Sequence, residues 1–252
     1  MKKIFVTISV FLINTLLIFG QEKAPSYFKN GLNNYGIAVA TDGAGNALSF
    51  NWNHQHYVSK HKKFSIGYGI RFNSNFGKGD FRTAPSKLTS GVESPLVIFA
   101  DDKLENFDTI SINNFAVNSL NASIHLNYAF TKKWEVEFNI DAIGFSFGSN
   151  VTADYSSSKR LTTSPVLGTK QEAKPTSLNA LLISDNDIGS LNSEIKIKYY
   201  FKPNWALNFG GTFIFAEYTT SNKLFKDNDR FRQKSFMPMI GISYSPFRNI
   251  LK

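Results

Sequence analysis

The stretch Ala122-Ser-Ile-His-Leu-Asn-Tyr-Ala-Phe130-Thr-Lys-Lys-Trp134-Glu-Val-Glu-Phe-Asn-Ile-Asp-Ala142 alternates apolar and polar residues on both sides of a short polar turn. Side chains in a strand point alternately to opposite faces. One face therefore carries Ala122, Ile124, Leu126, Tyr128 and Phe130, then Trp134, Val136, Phe138, Ile140 and Ala142. The other carries Ser123, His125 and Asn127, then Glu135, Glu137, Asn139 and Asp141. Pairing across a three-residue turn sets each apolar residue against another. Ionisable groups at every second position opposite a strip of Ile, Phe and Trp fit a strand with lipid outside and a polar lumen inside. A soluble sandwich has the reverse sense, with its apolar faces packed together.

A second hairpin repeats the pattern around Phe201-Lys-Pro-Asn-Trp205. Ile195, Ile197, Tyr199, Phe201, Trp205, Leu207, Phe209, Phe213 and Phe215 form its outward strip, opposite Glu194, Lys196, Lys198, Asn208 and Thr212. Further alternating segments start at Tyr35, Leu48 and Phe64, and the last carries Phe236, Ile240, Ile242 and Tyr244. Together these predict an all-β, eight-stranded antiparallel up-and-down transmembrane barrel. Eight strands of about 9 to 11 tilted residues span a bilayer and close around a lumen filled by side chains. Turns near Ser59, Lys132 and Pro203 are short, whereas connections 77–112 and 149–189 are long and polar, the alternation expected of periplasmic turns and extracellular loops. The competing count is ten strands, with Val92–Phe99 pairing Phe107–Ile112. The apolar patches Leu96–Phe99 and Leu181–Ile183 are expected to extend strands beyond the membrane.

Residues 1–20 read as a secretory signal peptide: Met-Lys-Lys, an apolar stretch from Ile4 to Phe19, then Gly20 before Gln21. Cleavage near Gly20 leaves a periplasmic segment 21–34 and a barrel domain 35–252 in the bacterial outer membrane. The absence of cysteine excludes disulfides, thiolate metal sites and a lipidated amino terminus. The net charge of +9 does not point to nucleic acid, because the lysines cluster in tight turns and no Arg-rich helix is present.

On these features the chain resembles the eight-stranded outer-membrane barrels of Gram-negative bacteria, the group that includes the barrel of outer membrane protein A and the small X- and W-type proteins. The likeness rests on the signal peptide, the two aromatic-bracketed turns and a last strand, Met237-Pro-Met-Ile-Gly-Ile-Ser-Tyr244, near the carboxyl end. It implies contact with outer-membrane lipid and with the barrel-insertion machinery. Such families end in an aromatic residue; here Arg-Asn-Ile-Leu-Lys252 follows Phe247, so Tyr244 and Phe247 are expected to serve.

The candidate residues are mostly architectural. Phe130, Trp134, Phe201 and Trp205 form an interfacial girdle, since amphipathic rings favour the headgroup level. Arg71, Glu135, Glu137, Asp141, Glu194, Lys196 and Lys198 form a luminal charge network in which Glu137 meets Lys198. His54, His56 and His61 lack the further ligands a metal needs. Ser123, His125 and Asp141 hold the parts of a hydrolase, but alternation aims them into the lumen, away from lipid. Asp185 and Asp187 are a weak calcium signal. No catalytic, cofactor or metal residue is assigned. The expected role is a non-enzymatic barrel with a plugged lumen, displaying loops 77–112 and 149–189 to a surface partner or for envelope integrity. The alternatives are a conduit for small hydrophobic molecules, an accessory barrel in secretion, and a lipid hydrolase.

Overall fold

The computed structural model describes residues 31–59, 61–90, 106–157, 169–182, 186–246 and 248. The signal segment, Val92–Phe99, Asp185 and Phe247 lie outside these residues. Eleven strands are present: β1 (Gly31–Thr41), β2 (Gly45–Tyr57), β3 (Phe64–Thr83), β4 (Asp108–Ala129), β5 (Trp134–Gly148), β6 (Val151–Ser157), β7 (Lys170–Pro175), β8 (Leu178–Ala180), β9 (Asn192–Lys202), β10 (Trp205–Thr220) and β11 (Arg230–Tyr244). Eight of them, β1, β2, β3, β4, β5, β9, β10 and β11, pair antiparallel in a ring that β11 closes onto β1, Tyr35 against Tyr244 and Val39 against Ile240. Closure satisfies the backbone groups that hydrocarbon could not.

In the first hairpin Tyr128 pairs with Val136, Leu126 with Phe138 and Ile124 with Ile140, so the apolar strip lies wholly outside. Exposed Ile, Phe and Tyr side chains recur on every strand of the ring. This belt is the transmembrane surface. The first strand begins at Gly31 rather than Tyr35, so the segment 21–34 does not stop short of the barrel. Leu32 turns inward there and breaks the apolar-outward alternation that marks the rest of β1.

The two long connections are not simply loops. β3 continues to Thr83 and β4 starts at Asp108, so much of 77–112 is strand; β6, β7 and β8 occupy part of 149–189. Beyond the membrane belt a second, six-stranded ring forms. β3 pairs β4, β4 pairs β6, β6 pairs β7, β7 pairs β10, β10 pairs β11, and β11 returns to β3 through Phe231–Thr83 and Arg232–Arg82. The β1–β2 hairpin is too short to reach this collar. Its turn closes at Asp42–Gly45, where Asp42 Oδ1 accepts the Ala44 and Gly45 amides at 3.0 and 2.6 Å and Gly43 takes φ +88°. β5 ends at Gly148 and β6 and β7 take its place.

Inside the collar the sense of the barrel inverts. Phe81, Ile110, Ile112, Phe115, Val117, Tyr155, Ala216, Tyr218 and Phe231 form a buried apolar core, with Phe81 packed edge-on against Phe115 and Tyr218 at ring distances of 5.3 and 5.2 Å. A bulge opposite Lys78 leaves both Asn113 and Asn114 exposed, which turns Ile112 and Ile110 as well as Phe115 inward. This level lies beyond the hydrocarbon, so the ordinary rule of globular proteins returns. Alternation tuned to lipid-facing apolar residues misreads such strands as loops. Leu181 and Leu182, expected to extend a strand, are exposed coil after β8.

Phe115→Ala should cost about 3 to 5 kcal/mol within the collar. Limited proteolysis should then cut the outer connections faster while unboiled protein keeps the shifted gel migration of a folded barrel; simultaneous loss of both would show that collar and barrel form one cooperative unit.

Candidate functional site

The lumen holds the densest chemistry. Odd positions of β3, β4 and β5 and even positions of β9 and β10 face inward within the membrane belt, which brings Arg71, Ser123, His125, Glu137, Asp141, Glu194, Lys196 and Lys198 into one buried column.

Arg71 crosses from β3 to the opposite wall. Its Nε and one terminal nitrogen donate to Asp141 Oδ1 at 3.0 and 2.5 Å, its other terminal nitrogen lies 3.0 Å from Glu194 Oε1, and the Asn192 carbonyl accepts at 2.9 Å. The second Asp141 oxygen accepts from the Asn121 side chain and the Asn192 amide at 2.8 and 2.9 Å. Lys196 joins Glu194 at 3.0 Å to Glu137 at 3.2 Å, and Lys198 meets Glu137 at 3.0 Å. The backbone register sets Glu137 opposite Lys196 and Glu135 opposite Lys198, so the Glu137–Lys198 contact is a diagonal one. Each of these carboxylates accepts from at least two donors, the condition under which buried charge is tolerated.

The seven residues assigned to this network from sequence contain three cations and four carboxylates, Glu135 being the one left over. Its partner comes from beyond the last strand. Arg248 folds back into the short-turn end, donates to Glu135 Oε1 at 2.9 Å, and bonds the Pro203 and Lys132 carbonyls at 3.2 and 2.9 Å. Its guanidinium stacks on the Tyr200 ring at 3.3 Å, and the Tyr200 hydroxyl donates to Glu135 at 3.2 Å. With Arg248, four cations face four carboxylates, none more than 5 % exposed. The charge imbalance was the one sequence signal for a missing cation, but the tail held no strand pattern to place it.

Ser123, His125 and an acid also come together. Ser123 Oγ lies 2.9 Å from His125 Nε2, and His125 Nδ1 lies 3.1 Å from Glu137 Oε1. The acid is Glu137, not Asp141: His125 pairs across the hairpin with Asn139, and Glu137 reaches back beside it, whereas Asp141 is committed to Arg71. The spacing is that of a nucleophile, base and orienting carboxylate. All three are at most 2 % exposed, and the carboxylate is already held by two lysines. The trio is enclosed in the lumen as part of the same hydrogen-bonded charge network.

At the short-turn rim the girdle residues are exposed and stacked, Trp134 on Tyr199 at 4.7 Å and Trp205 on Tyr244 at 4.8 Å, with Phe130 against Tyr128 at 5.1 Å and Phe201 exposed beside them. His54 and His56 share the outer face of β2, 4.5 Å apart, and stack with Tyr68; His54 Nδ1 bonds Asn33 at 2.8 Å. Among the described residues no three His, Asp or Glu side chains converge as metal ligands would. Asp187 is engaged in local structure, its carboxylate accepting the Leu182 amide at 2.6 Å.

A closed eight-strand ring with a greasy exterior and a polar, neutralised interior decides the fold. It is that of the small eight-stranded outer-membrane barrels. Solved structures similar to this chain include Neisserial surface protein A (9% identity, 85% of this chain and 94% of that one, TM-score 0.35), the attachment invasion locus protein Ail of Yersinia pestis in complex with sucrose octasulfate (13%, 86% and 96%, 0.30) and a major outer membrane protein of Thermus thermophilus (10%, 85% and 99%, 0.35). No family model matches the sequence, and no curated protein matches it.

Replacing Glu137 by Gln or Lys198 by Met should each destabilise the barrel by about 3 to 5 kcal/mol, because each strands a buried charge. The double variant should lose less than the sum by 1 kcal/mol or more. Urea unfolding in lipid vesicles measures this, and strict additivity would remove the pair from the account of the lumen.

Proposed function

We propose that the chain is a non-enzymatic, non-conducting outer-membrane barrel that works at its outer end, where the collar supports surface connections for contact with a partner or for envelope integrity. One observation carries this reading: the luminal charges close completely on one another. Above them, Ala38, Ala40, Ala47, Ile214, Met237 and Met239 form an apolar layer, and the collar core lies above that. An ion entering from outside would have to cross this largely apolar layer and then break buried ion pairs.

In this reading residues 1–20 are a signal peptide removed near Gly20, and the mature chain is one barrel domain delivered to the outer membrane by the insertion machinery. The turns at Ser59, Lys132 and Pro203 are periplasmic and the collar is extracellular. The collar is the natural place for a partner. It holds the stretches 106–112, 151–157 and 169–180 as strands or short turns on a packed base, a rigid platform at the end of the barrel.

Envelope fractionation should recover the protein with the outer membrane, and the purified chain in planar bilayers should show no reproducible conductance step. Stable unitary currents, or uptake of small hydrophobic solutes that disappears on removing the connections, would replace this reading with the conduit.

A further inference from the structure

Where β3 and β11 part to admit the short β1–β2 hairpin, the wall has a notch. A cavity of about 420 Å³ opens beside it on the outer part of β3 and β11, lined by Asp80, Arg82, Arg232, Gln233 and Lys234 on the strands and by Thr89 and Phe107 beyond them. Its height is set by the strands on either side. Outward positions on β3 run Phe72, Ser74, Phe76 and then Lys78, Asp80, Arg82; on β11 they run Ile240, Pro238, Phe236 and then Lys234, Arg232, Arg230. The two walls change from hydrocarbon-facing aromatics to charge within one residue pair of each other, Phe236, packed on Phe213 at 4.8 Å, being the last outward aromatic of β11. The notch therefore faces the headgroup layer rather than bulk water.

Its charges are arranged for an anion. Arg82 and Arg232 are direct cross-strand partners, a juxtaposition of like charges that a sheet disfavours unless something neutralises it. Arg82 is exposed, whereas Arg232 is 3% exposed. Arg232 gives Nε and one terminal nitrogen to Glu217, at 3.1 and 2.7 Å, and the same terminal nitrogen also bonds the Asp187 carbonyl. Its other terminal nitrogen is buried without a hydrogen-bond partner. A buried guanidinium nitrogen with no acceptor is costly. Arg232 and Lys234 both lie over the Phe215 ring, at 5.4 and 5.7 Å, which holds the two cations on one side of the cleft. Glu217 is shared with Arg230 at 2.7 Å and Asp187 accepts the Leu182 amide; Asp80, bonded at 2.7 Å to the neutral Ser111 hydroxyl, keeps its charge and offsets one of the cleft's cations, which still leaves cations in excess.

We infer that this notch binds the phosphate of a phosphorylated glycolipid headgroup in the outer leaflet, with Arg82 and Lys234 supplying charge from the rim and the unpaired Arg232 nitrogen donating from its floor. Planar guanidinium donors suit a tetrahedral oxyanion, and a lipid-anchored phosphate is already delivered to this height by its acyl chains. The assignment rests on the outer-membrane reading above.

The test titrates the full chain, refolded in uncharged micelles, with diphosphorylated lipid A and with the same lipid after dephosphorylation. Wild type should prefer the phosphorylated form by about tenfold or more, and Arg82→Gln with Lys234→Gln should abolish that preference. The two rim residues lie outside the Arg232–Glu217 pair, so the variant should retain the shifted gel migration of the folded barrel. Equal binding of the two lipids by wild type, or an unchanged preference in the variant, would overturn the site. Complete displacement of the lipid by millimolar inorganic phosphate would assign the cleft to soluble phosphate and also overturn it. Failure of the wild-type chain to insert into bilayers at all would instead sink the membrane reading and the site with it, whereas insertion without phosphate preference sinks the site alone.

Discussion

Hydrocarbon offers no hydrogen bonds, and the rest of this molecule follows from that restriction. A chain crossing it as strands must pair its first strand with its last, as β1 does with β11. It must also sort every side chain by face, because a strand has only two. Apolar groups take the lipid side, and polar groups are enclosed in the lumen, where the charged ones pair with each other. Ring closure and the luminal network are thus two answers to one constraint.

The network is costly unless complete. A single unmatched carboxylate among Glu135, Glu137, Asp141 and Glu194 would leave a buried charge with no solvent to screen it. Completeness here depends on Arg71 spanning the lumen, on Lys196 and Lys198 sharing Glu137, and on Arg248 returning from outside the strand pattern. The same arrangement ties β3, β5, β9 and the tail to one register. A slip of one residue would send charges into lipid.

Leaving the bilayer reverses the rule within single strands. β10 faces inward with Asn208 and Thr212 in the membrane belt, and then with Ile214, Ala216 and Tyr218 above it. β4 makes the same change from Ser119 to Val117 and Phe115, and its bulge then keeps Ile112 and Ile110 on the inner side. The barrel is consequently a polar-cored tube capped by an apolar-cored one, and the two differ in strand membership because the short β1–β2 hairpin drops out between them. That dropout joins β11 to β3, sets Arg82 beside Arg232 and opens the notch.

Residue alternation alone determined the apolar belt, the ring of eight, the outward aim of Trp134 and Trp205, and the inward aim of Arg71 and the luminal acids and lysines, because a period of two maps directly onto two faces. It also placed Glu137 with Lys198 and opposed His125 to Asn139. Tertiary structure decided what depends on residues distant in the chain. The collar needed six segments to meet before its apolar residues had an interior to face, so 77–112 and 149–189 read as polar loops until β6 and β7 found β4 and β10. Arg248 needed the lumen mouth to exist before a charge in an unpatterned tail had somewhere to go. The acid beside His125 was settled by which carboxylate Arg71 had already claimed, a competition in three dimensions that spacing along one strand does not encode.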